Sequence, residues 1–156
     1  MAQPGSVDTG RPGRQAPVTT EASPVPASAA AGLACLQLLA ALMARGLKRL
    51  VLCPGSRSAP LAVAAFLLER GGLELHTAID ERSAAFFALG LARGGDQPAA
   101  VVTTSGSAVA NLLPALVEAD QGTIPLLLLT ADRPGRLKGC GANQTVNQEA
   151  LNFLTA

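Results

Sequence analysis

Four short, nearly unbroken apolar runs alternate with stretches whose apolar residues recur at helical spacing, and this alternation constrains the chain more than any other feature. The runs are Leu50-Val51-Leu52-Cys53, Leu73 to Ile79, Ala99 to Thr103, and Leu126-Leu127-Leu128-Leu129. A strand with one wet face alternates apolar and polar residues, so continuous runs predict strands covered on both faces. Before the first run, Leu33, Leu36, Leu39, Ala40, Met43 and Leu47 predict a helix. Ser58 is placed to cap a second helix, with Pro60 in its first turn, where a missing amide costs nothing. Asp80 is placed to cap a third, from Glu81 to about Arg93, which Gly94-Gly95 stops. Ser107 to Ala119, holding Leu112, Leu113, Leu116 and Val117, predicts a fourth. The expected fold class is α/β: a parallel sheet sandwiched by helices, reached through right-handed crossovers.

A chain of 156 residues, 49% of them apolar, is long enough for one domain with a real core. With four Phe and neither Trp nor Tyr, that core must be aliphatic. Residues 1–28 differ from the rest: they hold five of the eleven prolines and no apolar period, which predicts a disordered tail ahead of a domain over 29–156. A plastid transit peptide is an alternative reading of this acid-poor tail. A net charge of +1 with scattered Arg and Lys, and no aromatic stacking platform, argues against nucleic acid as a partner. No apolar run approaches the ~20 residues that span a bilayer; the longest, Leu33 to Ala44, is interrupted by Gln37. Cys35, Cys53 and Cys140 are odd in number and form no CxxC, and His76 is the sole histidine. These counts predict reduced cysteines in a cytoplasmic protein and argue against a zinc site or a Ser-His pair.

Ligands of parallel α/β sheets sit outside the carboxyl ends of the strands, which gathers four polar loops on one edge. Pro54-Gly55-Ser56-Arg57-Ser58 combines free amides, hydroxyls and a guanidinium suited to a carboxylate or phosphate, or is a plain turn capped by Ser58. It is not a Walker loop, since the second glycine and the Lys-Ser/Thr pair are missing. Asp80-Glu81 puts a carboxylate at a helix start, for capping or for a bound ring. Thr103-Thr104-Ser105-Gly106-Ser107 lacks the G-x-S-x-G spacing of a nucleophile elbow and suits a turn that lets a ligand approach the backbone. Arg133 follows a buried strand, placed for bidentate carboxylate binding or for an ion pair with Asp132. Asn143 and Gln144 lie in an aperiodic stretch after Gly139 and Gly141, where they can also be merely solvated. The Gly90/Gly94 spacing reads as helix packing, and no GxGxxG exists.

The strings CPGSRSAPLAVAA, DERSAAFFALGLARG, TTSGSAVANLLPALVEA and LLLLTADRPGRLKGCGANQTVNQ, in this order over residues 30 to 153, resemble the N-terminal part of a thiamine-diphosphate enzyme. They are most similar to the 2-succinyl-5-enolpyruvyl-6-hydroxy-3-cyclohexene-1-carboxylate (SEPHCHC) synthases of menaquinone and phylloquinone biosynthesis. PGSRS, TADRP and CGANQ carry that likeness, whereas the Glu-headed helix is general to thiamine-diphosphate enzymes.

The resemblance implies a pyrimidine-binding domain in which Glu81 hydrogen-bonds the cofactor's aminopyrimidine ring and favours its imino tautomer, with Ser105 and Gly106 also at the cofactor. It implies that Ser56, Arg57, Arg133, Asn143 and Gln144 contact isochorismate or the covalent intermediate. The implied reaction is a carbon–carbon bond-forming transfer that decarboxylates 2-oxoglutarate and adds the succinyl unit to isochorismate. It also implies a homodimer or homotetramer, and a Mg2+ or Mn2+ ion held by a Gly-Asp-Gly motif and a downstream Asn of another domain. No Gly-Asp-Gly occurs here, so the chain is expected to be a truncated part, to carry no metal ligands, to supply half a site, and to be inactive alone. Two rivals stand beside this reading: a stand-alone α/β binding module, and a part of another thiamine-diphosphate decarboxylase or an acetohydroxyacid synthase.

Overall fold

A computed structural model describes residues 27–95 and 97–149. All but the last two residues of the expected tail over 1–28, and the end of the expected domain, lie outside the described residues. The elements in chain order are α1 (Ala27–Ala44), β1 (Arg49–Leu52), α2 (Ala59–Glu69), β2 (Glu74–Thr77), α3 (Glu81–Arg93), β3 (Ala99–Thr103), α4 (Ser107–Ala110), α5 (Leu113–Gln121) and β4 (Leu126–Thr130). The strands form one sheet in the order β2-β1-β3-β4, with every pair parallel. The α/β expectation therefore holds.

Successive side chains of a strand point to opposite faces, so the central strands feed two cores. Val51, Cys53, Ala99 and Val101 pack beneath α3 and α5 against Ala84, Ala85, Ala88, Ala92, Leu112 and Ala115. Leu50, Leu52, Ala100 and Val102 pack on the other face with Leu39 of α1 and Ala64 and Ala65 of α2. Only β3 is buried at every position. β4 is half-buried throughout, which corrects the expectation drawn from its four leucines. Each of its faces meets a core on one side only, because it borders β3 alone.

Three further expectations change. The helix expected over Ser107 to Ala119 is two helices, because Pro114 has no amide to donate and its ring crowds the preceding turn. α1 starts at Ala27 and runs for 18 residues without a charge, so one described helix is long and apolar enough to cross a membrane. In this fold it lies along α2, with Leu39 fully buried. Gly90 is exposed and a methyl group there would meet nothing, so its spacing with Gly94 serves no helix contact within the described residues. Gly94 does end α3, in right-handed rather than left-handed geometry.

Candidate functional site

Because all four strands run the same way, the segments after Leu52, Thr77, Thr103 and Thr130 emerge along one edge of the sheet. Their order along it follows the strand order: Glu81, then Ser56-Arg57, then Thr104-Ser105-Gly106, then Asp132-Arg133. With strands spaced ~4.8 Å apart, the row from β2 to β4 is about 14 Å long. The reversal of strand order falls between β1 and β3, where such sheets open a crevice.

At the β2 end, Asp80 has extended backbone geometry and its Oδ1 accepts from the Ser83 N–H at 2.7 Å, the expected cap. Hydrogen bonds from Ser83 hold the Asp80 carboxyl below its usual range. Asp80 thus satisfies the free amide, and Glu81, the first residue of α3, is left half-buried with no hydrogen-bond partner among the described residues. Burial pushes the neighbouring Cys53 thiol up to about 11, with help from the charges of Glu81 and then Asp80. Cys53 itself is buried at the end of β1, in the core beneath α3.

The β1 loop departs from expectation at Ser58. This residue is fully buried, and its Oγ donates to the Gly55 carbonyl at 3.2 Å rather than capping α2. A buried hydroxyl must find a partner, and here that partner closes the turn carrying Ser56 and Arg57, both exposed. Gly55 lies against the β3 loop: a methyl group on it would stand 2.5 Å from Thr104 Cβ. The Thr104 hydroxyl is buried there without a partner among the described residues.

The β3 and β4 loops are joined by the C-terminal segment. Ser105 Oγ donates to the Gln144 carbonyl at 2.9 Å. Gly106 has φ +76°, and a side chain on it would strike the Gln144 backbone, so only glycine fits. Gln144 is itself left-handed, at φ +53°. The side-chain amides of Asn143 and Gln144 are exposed and have no partner among the described residues.

The ion pair weighed between Asp132 and Arg133 does not form. Asp132 accepts from the Arg133 backbone N–H and pairs instead with Lys138, with Nζ and Oδ2 2.7 Å apart. That lysine holds the Asp132 carboxyl below its usual range. Lys138 also reaches Glu149 at 3.2 Å, and its own pKa is raised by both acids, Asp132 first. The Arg133 guanidinium is left without an acid among the described residues, and its Nε is buried and unpaired. A recess of about 620 Å3 lies beside this segment, lined by Lys138, Gly139, Thr145, Val146, Asn147 and Glu149, and does not reach Glu81.

The structure thus brings Ser105, Gly106 and Gln144 into contact and sets Asn143 beside them. Glu81, Ser56 and Arg57 stand further along the same row. His76 sits on the edge strand β2, bonded to Glu74 Oε1 at 3.0 Å and edge-on to Phe87, away from the hydroxyls of the β3 loop. Among the described residues no group of acids, histidines and cysteines is placed to hold a metal ion. Gln148 is buried and bonded to two loops, and no sequence motif marks it. It lies in an aperiodic stretch where no local pattern signals burial.

A half-buried carboxylate and a buried hydroxyl, both unpaired among the described residues, fit a ligand that offers polar ring atoms. Residues 35–151 match the family model described as "Thiamine pyrophosphate enzyme, N-terminal TPP binding domain". Proteins named 2-succinyl-5-enolpyruvyl-6-hydroxy-3-cyclohexene-1-carboxylate synthase are similar over most of the chain. The one from Synechococcus sp. (strain RCC307) is 74% identical over 113 residues, covering 72% of this chain and 20% of that protein. That from Parasynechococcus marenigrum (strain WH8102) is 78% identical over 102 residues, or 65% of this chain and 19% of its own length. That from Prochlorococcus marinus (strain NATL1A) is 65% identical over 115 residues, or 73% and 19%. The chain therefore spans about a fifth of the length of the curated relatives it matches. With the family match running from α1 past the last described residue, this chain belongs to the thiamine pyrophosphate enzymes, as their N-terminal TPP-binding domain.

Proposed function

We propose that this domain serves a synthase that decarboxylates 2-oxoglutarate and joins the succinyl unit to isochorismate, giving SEPHCHC on the route to menaquinone or phylloquinone. The observation that carries the reading is the state of Arg133. Its neighbouring acid is taken by Lys138, so the guanidinium remains available to an incoming carboxylate. Isochorismate has two carboxylates. Arg133 with the Asn143 and Gln144 amides would bind one end of it, and Ser56 with Arg57 the other. The names of the similar proteins support the same reading.

When bound, thiamine diphosphate supplies a nucleophilic carbon and an electron sink for loss of carbon dioxide from a 2-oxo acid. Glu81, half-buried and unpaired among the described residues, would hold a proton shared with a nitrogen of the aminopyrimidine ring. Ser105 and Gly106 would shape the cofactor's side of the site through the β3 turn, whose own polar groups are bonded to Gln144 and Gln148. The metal ion, Mg2+ or Mn2+, would be held outside this domain. The working protein would be a cytoplasmic homodimer or homotetramer, and these 156 residues alone would not turn over.

The test is to incubate the full-length gene product with thiamine diphosphate, Mg2+, 2-oxoglutarate and isochorismate, and to follow SEPHCHC by mass. SEPHCHC formation that needs both substrates is the expected result. Decarboxylation indifferent to isochorismate, or condensation of two 2-oxo acids, would assign the domain to a decarboxylase or an acetohydroxyacid synthase instead.

A further inference from the structure

Among the described residues after β4, Gln148 is the polar side chain that is buried, at 9% exposure. Its Oε1 accepts from the Gly106 N–H at 2.9 Å, and its Nε2 donates to the Ala131 carbonyl at 3.1 Å. The two partners fix the orientation of the amide, since an N–H can only donate and a carbonyl can only accept. Both partners are the loop residues that follow their strands. Ala131 N–H bonds the Thr103 carbonyl at 3.1 Å, so the β3–β4 ladder continues one residue past β4 and Gln148 closes its end. Four residues before Gln148, the Gln144 carbonyl takes the Ser105 hydroxyl. The segment carrying Asn143 and Gln144 is thus pinned at its two ends to one turn, Ser105-Gly106. Gln144 adopts a left-handed backbone that isolated residues disfavour, and such geometry persists only where the surroundings hold it.

We propose that Gln148 is a positioning residue for the acceptor substrate: it locks the 143–148 segment onto the β3 turn, so that the Asn143 and Gln144 amides are presented beside Arg133. The proposal rests on the assignment of isochorismate to this end of the row. Gln148 itself touches no substrate. Its effect passes through the 143–148 loop, which carries the amides assigned to the acceptor, and so falls more on the acceptor than on the 2-oxo acid.

The test compares Gln148→Met and Gln148→Glu with the wild type in the full-length gene product. Met keeps the packing and loses both bonds; Glu keeps the acceptor for Gly106 and loses the donor for Ala131. Three readouts are taken: KM for each substrate, the thermal midpoint, and amide hydrogen exchange of the peptides holding Gly106 and residues 143–147. Gln148→Met is expected to raise the KM for isochorismate about tenfold or more, with that for 2-oxoglutarate within about twofold. Exchange in the two peptides should rise while the rest of the protein stays protected. Gln148→Glu should fall between Met and the wild type. Unchanged KM values, or equal rises in both that track a lowered midpoint, overturn the proposal. If Gln148→Met does not fold, Gln148→Glu decides by the same split between substrates. A wild type that makes no SEPHCHC defeats the functional assignment instead. Exchange then decides the lock alone, and protection retained in the variant overturns it.

Discussion

At the residue scale, the site depends on which polar groups are already engaged within the fold and which are left free. Asp80 is consumed by its cap and Asp132 by Lys138, while Glu81 and Arg133, each next in sequence, stay unpaired among the described residues. Arg133→Ala in the full-length enzyme is therefore expected to raise the KM for isochorismate by about 10–100-fold, the scale of a lost charge-assisted hydrogen-bond pair. The check is a rate series against isochorismate at saturating 2-oxoglutarate, and an unaltered dependence contradicts the assignment. Thiol labelling probes the burial of Cys53 at the end of β1. Cys140 is exposed, whereas Cys53 is buried with its thiol held up at about 11, so at pH 8 a maleimide should modify Cys140 first and Cys53 only on unfolding. Asp80, Glu81, Arg57 and Arg133 were legible in the sequence because each stands at a strand end, where the α/β pattern says a ligand edge must be. Ser58 was misread because its burial, which no local pattern reveals, turns its hydroxyl inward to Gly55. Gln148 escaped for the same reason.

At the element scale, α3 carries the carboxylate and its seat on the sheet sets where that carboxylate stands. It packs through Ala84, Ala85, Ala88 and Ala92, all buried, onto Val51, Val101 and the first turns of α5. Small side chains let the helix lie close to β1 and β3, leaving no room for larger ones. Ala88→Leu is expected to cost about 1–3 kcal/mol by overpacking and to lower turnover as well, since lifting α3 moves Glu81. Denaturant unfolding alongside the SEPHCHC assay checks both effects; a stable variant of normal activity contradicts the close seat. The strands were readable from continuous apolar runs, and β3 falls where the sequence puts it. The split into α4 and α5 was available in Pro114 but outweighed by the helical spacing of Leu112, Leu116 and Val117. The partial exposure of β4 was not available at all, because edge position is a property of sheet order and not of the strand's own residues.

At the scale of the whole molecule, the parallel sheet turns loops distant in sequence into one row, and the fold's charge pairs tie the last loop down. Asp80 and Asp132 both have carboxyls held below their usual range, by Ser83 and by Lys138 respectively. A folded pKa below the unfolded value of about 3.9 contributes stability above that value, and the contribution is lost as pH falls through the folded one. Stability should therefore be flat from neutral pH down to about 4 as far as these two groups are concerned, and fall below it. Asp132→Asn should flatten that fall, and thermal midpoints read between pH 2 and pH 6 would show it. The measurement that bears most directly on the assigned role of this domain is proton exchange at the reactive carbon of bound thiamine diphosphate. It should be followed by NMR in the full-length enzyme and its Glu81→Gln variant. Slowing by about 10²–10⁴-fold in the variant, with the cofactor still bound, is the result predicted for a carboxylate that manages the ring proton. Exchange at the wild-type rate would contradict it and remove Glu81 from the chemistry.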